Sequence, residues 1–129
     1  MKQLVLAFVF ASIPAGSALA EKSFTGDTGA TWDCANDAEV SISSSKATFT
    51  ITGACESITV SGDALTLTID NVKEIVVNGH KNKATIGTLG EVTINGNNNT
   101  VIYKKPATGK KPGVQNNGTK NSVAKSKTK

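Results

Sequence analysis

Apolar and polar residues alternate along most of this chain. Val40-Ser41-Ile42, Ala47-Thr48-Phe49-Thr50-Ile51, Ile58-Thr59-Val60 and Leu65-Thr66-Leu67-Thr68-Ile69 each set Ser or Thr between apolar neighbours. Successive side chains of a strand point to opposite faces, so a period of two predicts strands with Val, Ile, Leu and Phe inward and Thr and Ser outward. No stretch carries a helical period.

The alternation is itself repeated. Val60-Ser61-Gly62, Val77-Asn78-Gly79 and Ile94-Asn95-Gly96 recur seventeen residues apart. Ile58, Ile75 and Val92 keep the same register, as do Cys55, Val72 and Leu89, and Ile69, Ile86 and Tyr103. Each unit holds two strand runs joined by turns rich in Gly, Asn, Asp and Ser, which tolerate left-handed backbone. Two strands per repeat of this length are too tight for a propeller blade. Consecutive hairpins would not keep equivalent positions in constant register. The chain therefore reads as all-β, a small single-domain parallel β-solenoid with coils of about 17 residues, four to five of them, each stacked on the one before.

The stacked columns follow from the register. One inward column is Ile42, Val60, Val77 and Ile94; another is Phe49, Leu67, Ala84 and Val101. The first coil joins with a spacing of eighteen, which shifts the register there by one residue. A further column, just after the Gly turn, holds Leu65, Asn82 and Asn99. Gly118-Thr119-Lys120-Asn121-Ser122-Val123 repeats the same Gly-x-x-Asn-x-apolar signature, which predicts one last, degraded coil reached through a loop over 104–113. The structural turn positions are thus Gly62, Gly79, Gly96 and Gly118 with Asn82, Asn99 and Asn121. Exposed strand edges invite further pairing. Residues 21–38, carrying Trp32, are expected to cap one end of the solenoid domain (39–123), and the region of Pro106, Pro112 and the lysines the other. Residues 124–129 read as a free basic tail.

Repeated Val/Ile-x-Gly-x-x-Asn-x-Val units after a Cys, an Asn-Thr-Val-Ile-Tyr strand and a last Gly-x-x-Asn-x-Val resemble the bacterial exported domain-of-unknown-function family 3060, over roughly Cys34 to Val123. The resemblance implies a small β-solenoid and an envelope or secreted location. It implies no activity and no site. The chain departs from the pattern at Leu65, where the turn Asn is expected, so the turn of that coil is expected to have a different shape.

The ends of the chain add a compartment. Lys2, the apolar run Leu4 to Ile13 and the small-x-small triplet Ala18-Leu19-Ala20 read as a secretory signal peptide spanning 1–20, cleaved after Ala20. The run is too short to span a bilayer, no other segment comes close, and no Cys sits near the cut to take a lipid. The mature protein is expected in the periplasm or outside the cell. An oxidising compartment with a single Cys pair favours a Cys34–Cys55 disulfide over a metal site, which would need further ligands.

Charge is segregated. Residues 21–103 carry ten acidic residues and five lysines, residues 104–129 eight lysines and no acid, and there is no Arg. Lys104, Lys105, Lys110, Lys111 and Lys120 are the candidate polyanion-binding residues. Without Arg or interleaved aromatics, specific nucleic-acid contact is not expected. The one histidine, His80, sits in a Gly-His-Lys-Asn turn with no nucleophile or orienting partner in pattern, so no catalytic residue is assigned. Asp27, Asp33, Asp37 and Glu39 crowd the N-terminal segment, but match no calcium loop. No metal or cofactor is assigned. Asn78, Asn95, Asn97, Asn98 and Asn99 read as turn-capping residues rather than glycan ligands. The Thr48-Phe49-Thr50 and Thr66-Leu67-Thr68 ranks resemble an ice-binding Thr array, but Lys83-Ala84-Thr85 and Thr100-Val101-Ile102 break it.

The expected function is an exported, non-catalytic binding or structural module whose Lys-rich region engages anionic cell-envelope polymers. The alternative is a protein–protein interaction module, an inhibitor or assembly component, using flat β-faces. Ice binding through the Thr ladder is a remote third.

Overall fold

The computed structural model describes residues 21–109 and 111–126. The leader assigned to 1–20, Lys110 and the last three residues of the basic tail lie outside the described residues. The strands are β1 (Lys22–Thr25), β2 (Gly29–Asp33), β3 (Glu39–Ser43), β4 (Thr48–Asp63), β5 (Thr66–His80), β6 (Lys83–Asn97), β7 (Thr100–Pro106), β8 (Gly113–Asn116) and β9 (Ser122–Lys125). All the pairings among them are parallel and each turn lies on the next, giving a β-solenoid of about five turns.

The strands are long because each rounds corners without ending. In β5 the alternation Leu67, Ile69 in and Thr66, Thr68 out is interrupted at Asp70-Asn71 and again at Lys73-Glu74, where two consecutive residues face solvent. Each such pair rotates the chain and starts a new side. The cross-section therefore has two longer sides, a short side at Asn71-Val72, and a third corner at the Gly turn. The predicted columns are present: Ile42, Val60, Val77 and Ile94 align, as do Phe49, Leu67, Ala84 and Val101. All are buried. The eighteen-residue step is absorbed inside β4, where the register slips between Ile51 and Ala54. Gly53, at φ 82°, takes up the extra residue, and its N–H donates to Asp70 Oδ2 at 3.3 Å.

The third corner explains the Asn repeat. Asn82 is 3 % exposed and Asn99 fully buried. The Asn82 Nδ2 donates to the Gly62 carbonyl at 2.9 Å while its Oδ1 accepts from the Leu65 N–H at 3.0 Å. Asn99 does the same for Gly79 and Asn82, and Asn121 for Gly96 and Asn99. Each side chain thus satisfies a buried donor and a buried acceptor of the preceding turn, groups that no strand ladder reaches. The Gly residues are required by proximity as well as by φ: a Cβ on Gly79, at φ 129°, would run into the Gly62 carbonyl.

Three boundaries and one turn differ from expectation. Residues 21–38 are no separate cap but the first turn of the solenoid, with β1 paired to β3 and β2 to β4. The loop begins after Pro106, because Lys104 to Pro106 continue β7 on top of β6. Ala124 and Lys125 belong to β9, so the tail starts later than residue 124. The turn at Leu65 is not reshaped. Ala64 has φ 58°, matching Lys46, Lys81, Asn98 and Lys120, and Leu65 is simply buried where the later turns bury Asn. The degraded last coil is present as β8 and β9.

The first turn lacks the Asn ladder and is held otherwise. Cys34 and Cys55 form a disulfide, with Cα atoms 5.2 Å apart, that ties it to the second turn. Phe24 packs against Phe49 at 5.2 Å between ring centroids and meets Trp32 edge-on at 6.3 Å.

Two substitutions test the inward and outward assignment. Val77→Asp places an unpaired charge in the core and should cost several kcal/mol, whereas Thr68→Asp, on an exposed position of β5, should leave the urea midpoint nearly unchanged. Asn82→Ala strands the Gly62 carbonyl and the Leu65 N–H, and should cost about 2–4 kcal/mol in the same titration. Reducing the disulfide should cost roughly 3 kcal/mol in the chain-entropy model, read as a drop in melting temperature that Cys34→Ala reproduces.

Candidate functional site

Lys104, Lys105 and Lys111 lie where the short side of the solenoid meets its last turns. β7 carries Lys104 beyond Tyr103 and pairs Lys105 with Thr88 of β6, just past the corner that Gly87 makes. Both lysines are exposed. Together with Asp70, Asn71, Gly87 and Thr88 they line a shallow groove of about 480 Å³. A second groove, of about 490 Å³, lies at the next corner around Gly90, between Lys73 and Glu91 on one hand and Ala107, Thr108 and Lys111 on the other. Gly87 and Gly90 are three residues apart in the sequence, about 10 Å along a strand. The two notches therefore flank one short side, on which Thr88 is half-buried and Leu89 buried in the core.

The structure thus brings Lys104 and Lys105 together, and sets Lys111 at the neighbouring groove. Lys120 is not part of this group. It occupies the left-handed position of the Gly-Asn turn, φ 58°, at the opposite corner. The sequence reading missed Lys73, whose ammonium is 3.1 Å from Glu56 Oε2 in an exposed ion pair and which lines the second groove. It also missed the role of Gly87 and Gly90. The signal was the Gly-Thr-Leu-Gly spacing, which falls on the two corners of the short side and removes the side chains that would fill both notches.

The other candidates are placed plainly. His80 is exposed, and its main-chain N–H donates to Asp63 Oδ1 at 3.1 Å. Asp33 Oδ1 accepts from the Ala35 N–H at 2.9 Å, closing a local turn. Among the described residues no group of three or more His, Cys, Asp or Glu is arranged to hold a metal ion. Asn78, Asn95 and Asn117 form an exposed amide ladder: Asn95 Nδ2 donates to Asn78 Oδ1 and Asn117 Nδ2 to Asn95 Oδ1, each at 2.8 Å. The Thr array is a single column, Thr31, Thr50, Thr68 and Thr85, ending on Ile102. The companion column has only Thr48 and Thr66 between Gly29 and Lys83. No helix among the described residues is long and apolar enough to cross a membrane.

Residues 42–88 match the family model for a protein of unknown function, DUF3060. This is the family that the repeats resemble, over a stretch shorter than Cys34 to Val123. The DUF3060 match runs from Ile42 to Thr88 and stops before the lysines of β7. No curated protein and no solved structure matches the chain.

The groove glycines give a direct test of this geometry. A Cβ on Gly87 would approach the Asp70 carbonyl to 2.5 Å, so Gly87→Ala should both lower the melting temperature and displace the β7 lysines. The readout is a change in amide chemical shifts confined to β5–β7.

Proposed function

We propose that this protein is an exported, non-catalytic module that holds a basic side against anionic cell-envelope polymers, with the acidic turns as a rigid spacer. The observation that carries this reading is that Lys104 and Lys105 are borne by a strand rather than by a free tail, and share the rim of two open grooves with Lys111. A strand-held pair loses less freedom on binding than lysines of a flexible tail. The grooves are open and shallow, the shape an extended polymer needs. Their Asp70 and Glu91 carboxylates orient a ligand that carries hydroxyls as well as anionic groups.

Nucleic acid fits less well. Tyr103, the aromatic residue bordering the lysines, is 9 % exposed and gives no stacking surface. The Cys34–Cys55 disulfide supports an oxidising compartment. A second reading, a protein–protein module, draws on the Thr31–Thr85 column, a regular face with small side chains.

The test is co-sedimentation with purified anionic envelope polymers over a salt series, beside a variant with Lys104, Lys105, Lys110 and Lys111 changed to Gln. Near an anionic surface each lysine contributes about 1 kcal/mol. With four lysines removed the variant should therefore bind on the order of a thousandfold more weakly at low salt, and the binding of the unaltered chain should fade as salt rises. Equal retention of both proteins, or retention indifferent to salt, would leave the β-faces and a protein partner.

A further inference from the structure

The stack has two open ends, and they are complementary. Among the described residues β1 and β2 each pair on one side only at the first end, and β8 and β9 on one side only at the last. The inward columns run out to both edges. At the first end they finish on Lys22, Phe24, Ala30 and Trp32. At the last end they finish on Val114, Asn116, Val123 and Lys125. Val114 is 48 % exposed, and is the exposed large apolar residue among those described, because it continues the Val40–Ile58–Ile75–Val92 column with nothing beneath it.

Charge follows the same axis. Glu21, Asp27, Asp33, Asp37 and Glu39 belong to the first turn and its exit, half of the ten acidic residues in the chain. From residue 92 onward there is no acid, and Lys104, Lys105, Lys111, Lys120 and Lys125 mark the last turns. Among the described residues the molecule is an axial dipole whose first and last strands each pair on one side only.

We infer that a second copy of this chain docks head to tail on the first, its β1 and β2 continuing the sheet below β8 and β9. Carried one turn further, the register sets Lys125 against the next copy's Trp32 and Val123 against its Ala30. The first pair has a precedent within the chain, where the Lys22 ammonium lies 4.9 Å from the Trp32 ring centroid and 5.0 Å from that of Phe24. These ring faces already accept an ammonium. The second pair sets a branched side chain against a small one. On the outer surface Ser126 aligns with Asp33, and Lys120 comes to the turn that carries Asp27.

An inward lysine is also a guard against indiscriminate edge pairing. Lys125 at the basic end rejects apolar or basic edges, and is satisfied by an edge offering aromatic faces and carboxylates. The first turn of this same chain offers both, and its own Lys22, which the register sets against Val114 rather than Lys125, is already drawn over the Phe24 and Trp32 rings. Because the two docking surfaces differ, the contact is heterologous and repeats, giving short filaments rather than a closed dimer. The contact is small, so assembly belongs to high local concentration and low salt.

The test uses the purified full chain and two engineered thiols on exposed, outward positions, Ser23→Cys and Gln115→Cys, which the continued register places opposite each other across the junction. Under mild oxidation the double variant should give a ladder of cross-linked multimers on non-reducing gels. The two single variants should cross-link when mixed, and only weakly alone. Lys125→Glu, on the exposed edge of the last turn, should abolish the ladder while leaving the melting temperature unchanged. Rising salt should weaken the ladder, and the unaltered chain should gain apparent mass in sedimentation velocity as it is concentrated. Efficient cross-linking of Gln115→Cys alone, which reports a tail-to-tail pair, would overturn the proposal. So would a chain that stays monomeric at low salt up to about 1 mM, or assembly that strengthens with salt.

Discussion

The fold depends on one buried hydrogen-bond ladder. At the Gly corner the chain reverses so tightly that the Gly carbonyl and the N–H three residues later face inward, away from both water and the strand ladder. A turn with those groups unpaired would lose about as much as several core methyls contribute. Asn82, Asn99 and Asn121 each reach back one turn and satisfy both. The partner is always one turn away, so the ladder works only if every turn returns to the same place. That keeps each Gly corner over the one before, whether the step is 17 residues, as from Asn82 to Asn99, or 22, as from Asn99 to Asn121, and the apolar columns and Gly contacts keep the same register.

At the N-terminal end the constraint is relaxed, and other forces replace it. Leu65 stands where the ladder would begin and contributes burial instead of an amide. The turns before it gain their cohesion from the Cys34–Cys55 bond and the Phe24–Trp32–Phe49 cluster. The extra residue at Gly53 sits beside these staples: its N–H is held by Asp70 and its carbonyl accepts from Asn71 Nδ2 at 3.5 Å. One end of the solenoid is thus fixed by covalent and aromatic contacts, the rest by repetition.

These two regimes explain what was legible in the sequence. From Ile42 to Val101 the columns, the parallel pairing and the role of Asn82 and Asn99 could be read directly, because like residues recur at fixed spacing. The first turn could not be read as a coil, because Phe24, Ala30 and Trp32 share neither side chains nor Gly-Asn punctuation with the turns they stack on. Lys104 and Lys105 looked like loop residues by composition, yet backbone pairing to β6 holds them in a strand. The grooves were hidden for a different reason. They arise from Gly87 and Gly90 falling on corners, and corners show only as doubled outward residues that interrupt the period of two.

A solenoid built this way fills its interior completely, so any function has to sit on its sides or its ends. The sides are ladders of Thr, Asn and Ser with little relief, except at the two glycine notches where the lysines gather. The ends differ from the sides in kind, since they expose backbone edges and the cut face of the core. In most repeat proteins such ends are closed by a dedicated polar cap. Among the described residues, Lys22 lies over aromatic rings at one pole, and Val114, Asn116 and Lys125 stand at the other. Both poles thus carry polar side chains within the column register. Charge is asymmetric along that same axis, with carboxylates where the stack begins and ammonium groups where it ends.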